Sequence, residues 1–348
     1  MHTKFRPLYG HSIVTAVFLG LIGWPMLLSA QASDMEAATA ALEWREVGPT
    51  IMGGRVADVA VVESNPSIFY VGTAHGGLWK TINAGTSFEP IFDDQPTPSI
   101  GDVTIAPSNP NVLWVGSGEP QNRQSSPWGM GVFRSTDAGM TWNHLGLEET
   151  QAIGRIQVHP RNPDVAYVAA VGHLWGPNPE RGVYRTTDGG ETWDHVLFID
   201  EHTGAIDLAM DPGDPKTLFA ATYQRQRTLW GFNGGGPGSG IYRTTDGGDN
   251  WAEMTDGLPQ GDKGRIGLDI YRRDGNLVYA IVEADARVPG GGRFSDSAPD
   301  RESGVYRSDD RGLSWTQVNT TNSRPMYYSH IRIDPNDPER IYLGGTQA

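Results

Sequence analysis

Short apolar runs recur along this chain, and the breaks between them share one composition. Ile105-Ala-Pro-Ser-Asn-Pro-Asn-Val-Leu-Trp-Val115, Val158-His-Pro-Arg-Asn-Pro-Asp-Val-Ala-Tyr-Val168 and Ile333-Asp-Pro-Asn-Asp-Pro-Glu-Arg-Ile-Tyr-Leu343 each place a Pro/Asn/Asp turn between two β-branched or aromatic stretches. Looser copies begin near Val59, Leu208 and Leu268. Period-two apolar stretches bounded by such turns read as paired strands. A third strand follows as Gly131–Arg134, Gly182–Arg185, Gly240–Arg243 and Gly304–Arg307. No helical periodicity appears beyond the N-terminus.

Each third strand runs into an eight-residue pattern: Thr81–Phe88 (TINAGTSF), Ser135–Trp142 (STDAGMTW), Thr186–Trp193 (TTDGGETW), Thr244–Trp251 (TTDGGDNW) and Ser308–Trp315 (SDDRGLSW). Asn83, Asp137, Asp188, Asp246 and Asp310 are spaced by 54, 51, 58 and 64 residues. Asp accepts backbone N–H bonds across a tight turn, Gly supplies the positive φ that closes it, and the aromatic opens a fourth strand. The pattern resembles the Asp-box, or BNR repeat, whose usual place is the turn between the third and fourth strands of a β-propeller blade. A repeat of this length with four strands per unit predicts an all-β propeller of four-stranded blades. The blades read as 54–92, 99–147, 152–199, 204–256 and 264–318, with a sixth begun near Tyr328, about five and a half in all. Trp44–Gly48 reads as a fourth strand with no blade before it. An open seam would leave unpaired edges, so the expectation is an incomplete propeller, 44–348, that continues in a longer chain. A complete, imperfect six-bladed ring is the alternative.

Lys4 and Arg6 precede an apolar stretch, Ile13–Leu28, and then Ser29-Ala30-Gln31-Ala32. That order predicts a signal peptide over 1–32 and a small polar leader over 33–43, hence export to the periplasm, the cell surface or the medium. Membrane contact is expected only if the signal segment stays uncleaved. The 348 residues carry a formal charge of −14, which argues against nucleic acid as partner. There is no cysteine, hence no disulfide framework.

With the four strands of a blade labelled A to D in chain order, the turns A–B and C–D of this architecture share one face and the connections B–C and D–A share the other, around the channel mouth. The B–C loops are long and rich in chemistry, as functional loops on a rigid scaffold tend to be. They bring Glu119, Asn122, Arg123 and Trp128 from blade 2, and His173, Trp175, Asn178 and Glu180 from blade 3. Blade 4 adds Tyr223, Arg225, Arg227, Trp230 and Asn233, and blade 5 adds Glu283, Asp285, Arg287 and Arg293. Trp, Arg, His and Asn on one face suit stacking and bidentate recognition of a glycan, a peptide or a partner protein. The plainer reading is that the tryptophans cap blades and the arginines pair with local acids. At the starts of the inner strands, Asp58, Asp102, Arg155, Asp207 and His330 align, with Arg55 and Arg265 close to that level. These should line the channel rim, where Asp58, Asp102 or Glu119 are the candidate acid/base groups of a glycoside hydrolase.

Other chemistries are not supported. Asn233–Gly240 is glycine-rich but lacks the Lys and helix of a phosphate loop. His173 and His195 have no partners at ligand spacing, and the Asp-boxes lack convergent carboxylates, so no metal and no cofactor is expected.

Residues 44–348 resemble the sortilin N-terminal domain family and its large exported bacterial relatives, often labelled glycosyl-hydrolase-like. The segments that carry this are Gly172-His-Leu-Trp-Gly-Pro-Asn-Pro-Glu-Arg-Gly182 and Trp230-Gly-Phe-Asn-Gly-Gly-Gly236. The resemblance implies a propeller that binds peptides or proteins; the cysteine-rich modules of the animal proteins are not visible. Sialidases share the Asp-box, but their Arg-Ile-Pro motif is absent. Two-propeller xyloglucanases are similar at Tyr70-Val-Gly-Thr-Ala-His-Gly-Gly77, where their catalytic Asp falls on Ala74. The reading is therefore an exported propeller that binds a peptide, glycan or protein through its B–C face. A hydrolase with a rearranged site and a passive envelope platform are the alternatives.

Overall fold

The computed structural model describes residues 54–284, apart from Gln124, and residues 302–345. The signal segment, the leader and Trp44–Gly48 lie outside the described residues, as do Asp285, Arg287 and Arg293. The segment Ile51–Ala348 forms one compact unit. Its described residues form five four-stranded antiparallel meanders, the fourth enlarged by one short strand, and a two-stranded sheet over Ile331–Asp334 and Asp337–Leu343. This is a β-propeller. The inner strands are Val56–Val61, Ile100–Ile105, Ile153–Val158, Thr203–Met210 and Ile266–Ile270. Each packs beside the next, and the last lies beside Ile331–Asp334.

The Asp-box turns follow from their hydrogen bonds. The first hydroxyl accepts the N–H of the fifth residue, as in Gly139 to Ser135 at 2.8 Å and Gly190 to Thr186 at 2.9 Å. The carboxylate accepts the N–H of the seventh, as in Thr141 to Asp137 at 2.9 Å and Ser314 to Asp310 at 2.9 Å. Asn83 does the same for Ser87 at 3.0 Å, so the degenerate copy still closes. Two consecutive residues are left-handed, not one. The second is always Gly, but the first is Ala84 (φ 56°), Ala138 (φ 61°) or Arg311 (φ 61°) in three boxes. That conformation is uncommon for a residue with a Cβ, and here the surrounding bonds hold it.

Two sets of bonds recur between neighbouring blades. On the outside, Lys80 donates to Ala138 O (2.8 Å), Arg134 to Gly189 O (3.2 Å), Arg185 to Gly247 O (2.9 Å) and Arg243 to Arg311 O (2.8 Å). Every acceptor is the fourth residue of the following Asp-box. Near the axis, Asp58 accepts the N–H of Val103 (3.2 Å), Asp102 that of Ile156 (2.9 Å), Asp207 that of Leu268 (3.0 Å) and Asp269 that of Ile333 (2.7 Å). Strand-centre glycines let the blades close up: a Cβ on Gly116 would stand 2.3 Å from the Ile153 side chain.

One expected loop is a hairpin. The second strand of blade 4 runs from Leu218 to Thr228, and Gly231–Gly234 folds back on it. Tyr223-Gln-Arg-Gln-Arg-Thr228 continues the extended pattern without a breaking Gly or Pro, so the ladder propagates past the blade's rim.

Candidate functional site

The rim residues aligned by sequence do meet. Arg155 sits among three carboxylates: Asp102 at 2.8 Å, Asp207 at 3.0 Å and Asp58 at 3.8 Å. Although burial works against its charge, these acids hold the Arg155 guanidinium above its ordinary value. Asp102 is 1% exposed. Burial pushes its carboxyl up, to about 7, against the pull of Arg155 and with a further push from Asp58. Farther round, Arg265 donates to His330 Nε2 at 3.0 Å, and burial together with the facing arginines keeps His330 neutral. All three inner-ring aspartates also accept a backbone N–H of the following blade, so their lone pairs are committed to holding blades together.

The third candidate carboxylate is equally committed. Glu119, 1% exposed, takes a two-pronged bond from Arg55, at 2.9 and 2.5 Å. The same guanidinium reaches His75 Nδ1 at 3.1 Å. Partial burial and the Arg55 charge lower the His75 pKa. Ala74, the position singled out by the resemblance to two-propeller xyloglucanases, is buried, with its N–H on Arg55 O.

The B–C loops are bonded to one another. Arg225 is buried, and its guanidinium donates to Pro120 O at 2.6 Å. Burial and the neighbouring Arg265 lower it to about 10, so it stays charged at neutral pH. Arg227 donates to Arg123 O at 2.8 Å through its side chain and to Leu174 O at 2.7 Å through its backbone. Its guanidinium lies 5.8 Å from the centre of the Trp175 ring. Asn178 is buried within its loop, accepting the N–H of His173 and donating to Glu149 O and Glu180. His173 faces Glu149 at 3.6 Å. Arg181, which sequence reasoning passed over, clamps this loop from inside through Val171 O and His173 O, both at 2.6 Å. Its only signal was an Arg just before a third strand.

The loops leave three tryptophans in solvent, and Leu229 beside them. Trp128 is 73% exposed, Trp175 53% and Trp230 89%. Asn233 donates to Gly235 O and lines a cavity of about 470 Å³ between blades 4 and 5, with Asp262, Lys263, Glu283 and Glu302. A second cavity, of about 410 Å³, opens on the Asp-box face beside Arg161, Lys216 and Asp246. Among the described residues no group of His, Cys, Asp or Glu is arranged to hold a metal ion, and no helix is long and apolar enough to cross a membrane.

A family model described as sortilin, neurotensin receptor 3, matches residues 130–280. The chain is similar to a probable oligoxyloglucan-reducing end-specific xyloglucanase of Neosartorya fischeri, 28% identical over 62% of this chain and 22% of that one. It is similar to the xyloglucanase Xgh74A of Acetivibrio thermocellus, 26% identical over 54% and 23%. It therefore spans under a quarter of the length of these relatives. Among solved structures it resembles the GH74 enzyme of Niastella koreensis, with a TM-score of 0.60 at 19% identity over 83% of this chain and 44% of that one. The likeness at that identity is one of fold.

Proposed function

We propose that this chain, an Asp-box propeller of the sortilin-like, glycosyl-hydrolase-like family, is an exported recognition module that binds a polysaccharide through its B–C face. The observation that carries the reading is a contrast within that face. Of the three candidate acid/base groups, Asp102 and Glu119 are buried in ion pairs with Arg155 and Arg55, while the partly exposed Asp58 lies 3.8 Å from Arg155 and holds the Val103 N–H. Trp128, Trp175 and Trp230 stand in solvent. A hydrolase needs a carboxyl group within reach of the scissile bond. A binding face needs flat apolar rings that stack on sugar faces, with polar groups beside them. The similarity to xyloglucanases makes xyloglucan the first polymer to test. The predicted signal peptide over 1–32 supports export.

The experiment is retention on a polysaccharide array with parallel measurement of reducing-end release. Trp128→Ala, Trp175→Ala and Trp230→Ala should each weaken retention by about 5–30-fold, as loss of an interface aromatic does. The combined variant should lose it while keeping its melting temperature. Retention by that variant would refute the site.

The second reading, a glycoside hydrolase, is favoured by the xyloglucanase similarity. It predicts release of reducing ends by the wild-type protein, lost in Asp58→Asn, Asp102→Asn or Glu119→Gln.

A further inference from the structure

The blade 2 segment Gly118–Asn122 is buried although it belongs to a surface loop. The loop is held from three other parts of the propeller. Arg55 of blade 1 grips Glu119. Arg225 and Arg227 of blade 4 grip Pro120 O and Arg123 O. The Asn122 N–H meets Met326 O, just before the sixth unit, at 3.4 Å. Its side-chain amide also lies 3.5 Å from the Tyr223 hydroxyl of blade 4. These blades surround the axis, so a loop that touches all of them crosses the channel mouth. Asp102, Arg155 and Asp207 lie on the inner strands.

The same bonds order the tryptophans. Trp128 belongs to the crossing loop, Trp175 has the Arg227 guanidinium 5.8 Å from its ring centre, and Trp230 sits at the turn of the blade 4 hairpin on which Arg227 lies. Three consecutive blades thus present exposed rings from loops that are bonded to each other. On the polysaccharide reading given above, we infer that the ligand is an internal stretch of the polymer lying over a sealed mouth, and not a chain end entering the channel. Recognition of an end needs a blind pocket that reads the terminal hydroxyls. The channel is closed to that use, and the rings are spread along a surface. Arg225 and Arg227 are positioning residues: they hold the floor and touch no sugar. The rival arrangement is an end seated in the cavity beside Asn233, which is large enough for one sugar unit.

Two measurements test this separately. The first needs no ligand. Hydrogen exchange of the Gly118–Asn122 amides should be slow in the wild-type protein and faster by about 10-fold or more in Arg225→Ala, because the bond to Pro120 O keeps the segment closed. Fast exchange in the wild type would remove the seal. The second uses xyloglucan oligosaccharides of increasing length, each with and without borohydride reduction of its reducing end. Affinity should climb by about 10-fold or more from the shortest to the longest as successive rings engage, and reduction should leave it unchanged. Equal affinity at all lengths, or loss on reduction, would overturn the inference while the polysaccharide reading stands. Slow exchange with no binding to any polysaccharide would sink that reading, and this inference with it.

Discussion

Asp102 and Asp137 belong to the same blade, 35 residues apart, and each is hydrogen-bonded to its neighbours. Asp137, in the Asp-box turn, accepts bonds from the Ser135 and Thr141 hydroxyls and from two backbone N–H groups. Bonds from Thr141 are the main reason its pKa falls to about 2. Asp102, on the inner strand, accepts from Arg155, from the Ile156 N–H and from the Thr104 hydroxyl. It moves the other way, to about 7, because burial outweighs the attraction of Arg155. Solvent, not the number of bonds, separates the two. A strongly shifted, buried acid usually marks a functional site. Here it sits at a joint between blades, and on the proposed function the groups offered to a ligand are the exposed rings.

Breaking the joint should cost most. Arg155→Ala leaves Asp102 and Asp207 as buried carboxylates without their shared cation, a change that costs about 3–5 kcal/mol. Urea denaturation measures it, and a loss under about 1 kcal/mol would mean the ring is solvated and open to ligand. Asp207→Asn should follow, since Asn keeps an acceptor for the Leu268 N–H but forfeits the ion pair. The Asp-box change Asp137→Ala should cost clearly less than either, since its carboxylate is open to water; an equal cost would reverse the order of joint and turn.

The pH dependence sharpens the same contrast. Asp137 and Asp310 sit below the ordinary carboxylate value of about 4, so their stabilisation is present above that value and lost as pH falls through about 2. Asp102 sits above it, so its contribution is present below about pH 4 and is lost as pH rises through about 7. His330 is lowered, so its contribution is present above about pH 6.5 and lost as pH falls below it. Carboxyl carbon NMR should show the Asp102 and Asp137 midpoints on opposite sides of 4. Coincident midpoints would erase the distinction.

The architecture was legible because each Asp-box carries its own local bonds, and because strand alternation fixes which residues face inward. That is why Asp58, Asp102, Arg155, Asp207 and His330 could be aligned before their contacts were known. Sequence alone also grouped Trp128, Trp175 and Trp230 with Arg225 and Asn178 in the B–C loops. It could not separate them, since loop membership does not say which side chains turn inward. Arg225 turns in to a carbonyl 105 residues earlier, a partner that no local spacing encodes. The bonds that Arg55, Arg225 and Arg227 make to the Glu119–Arg123 stretch are invisible in sequence for the same reason. The Tyr223–Gly234 stretch reads as a loop in sequence, whereas Arg225–Thr228 pairs with Gly231–Gly234 as a hairpin.

The most direct test of the account is a titration of xyloglucan into the wild-type protein, Asp102→Asn and the triple Trp128, Trp175 and Trp230 alanine variant, with reducing ends assayed in the same samples. Binding without cleavage by the wild type, the same binding by Asp102→Asn, and none by the triple variant are expected. Cleavage that vanishes with Asp102→Asn, or binding that survives the loss of all three rings, would contradict it.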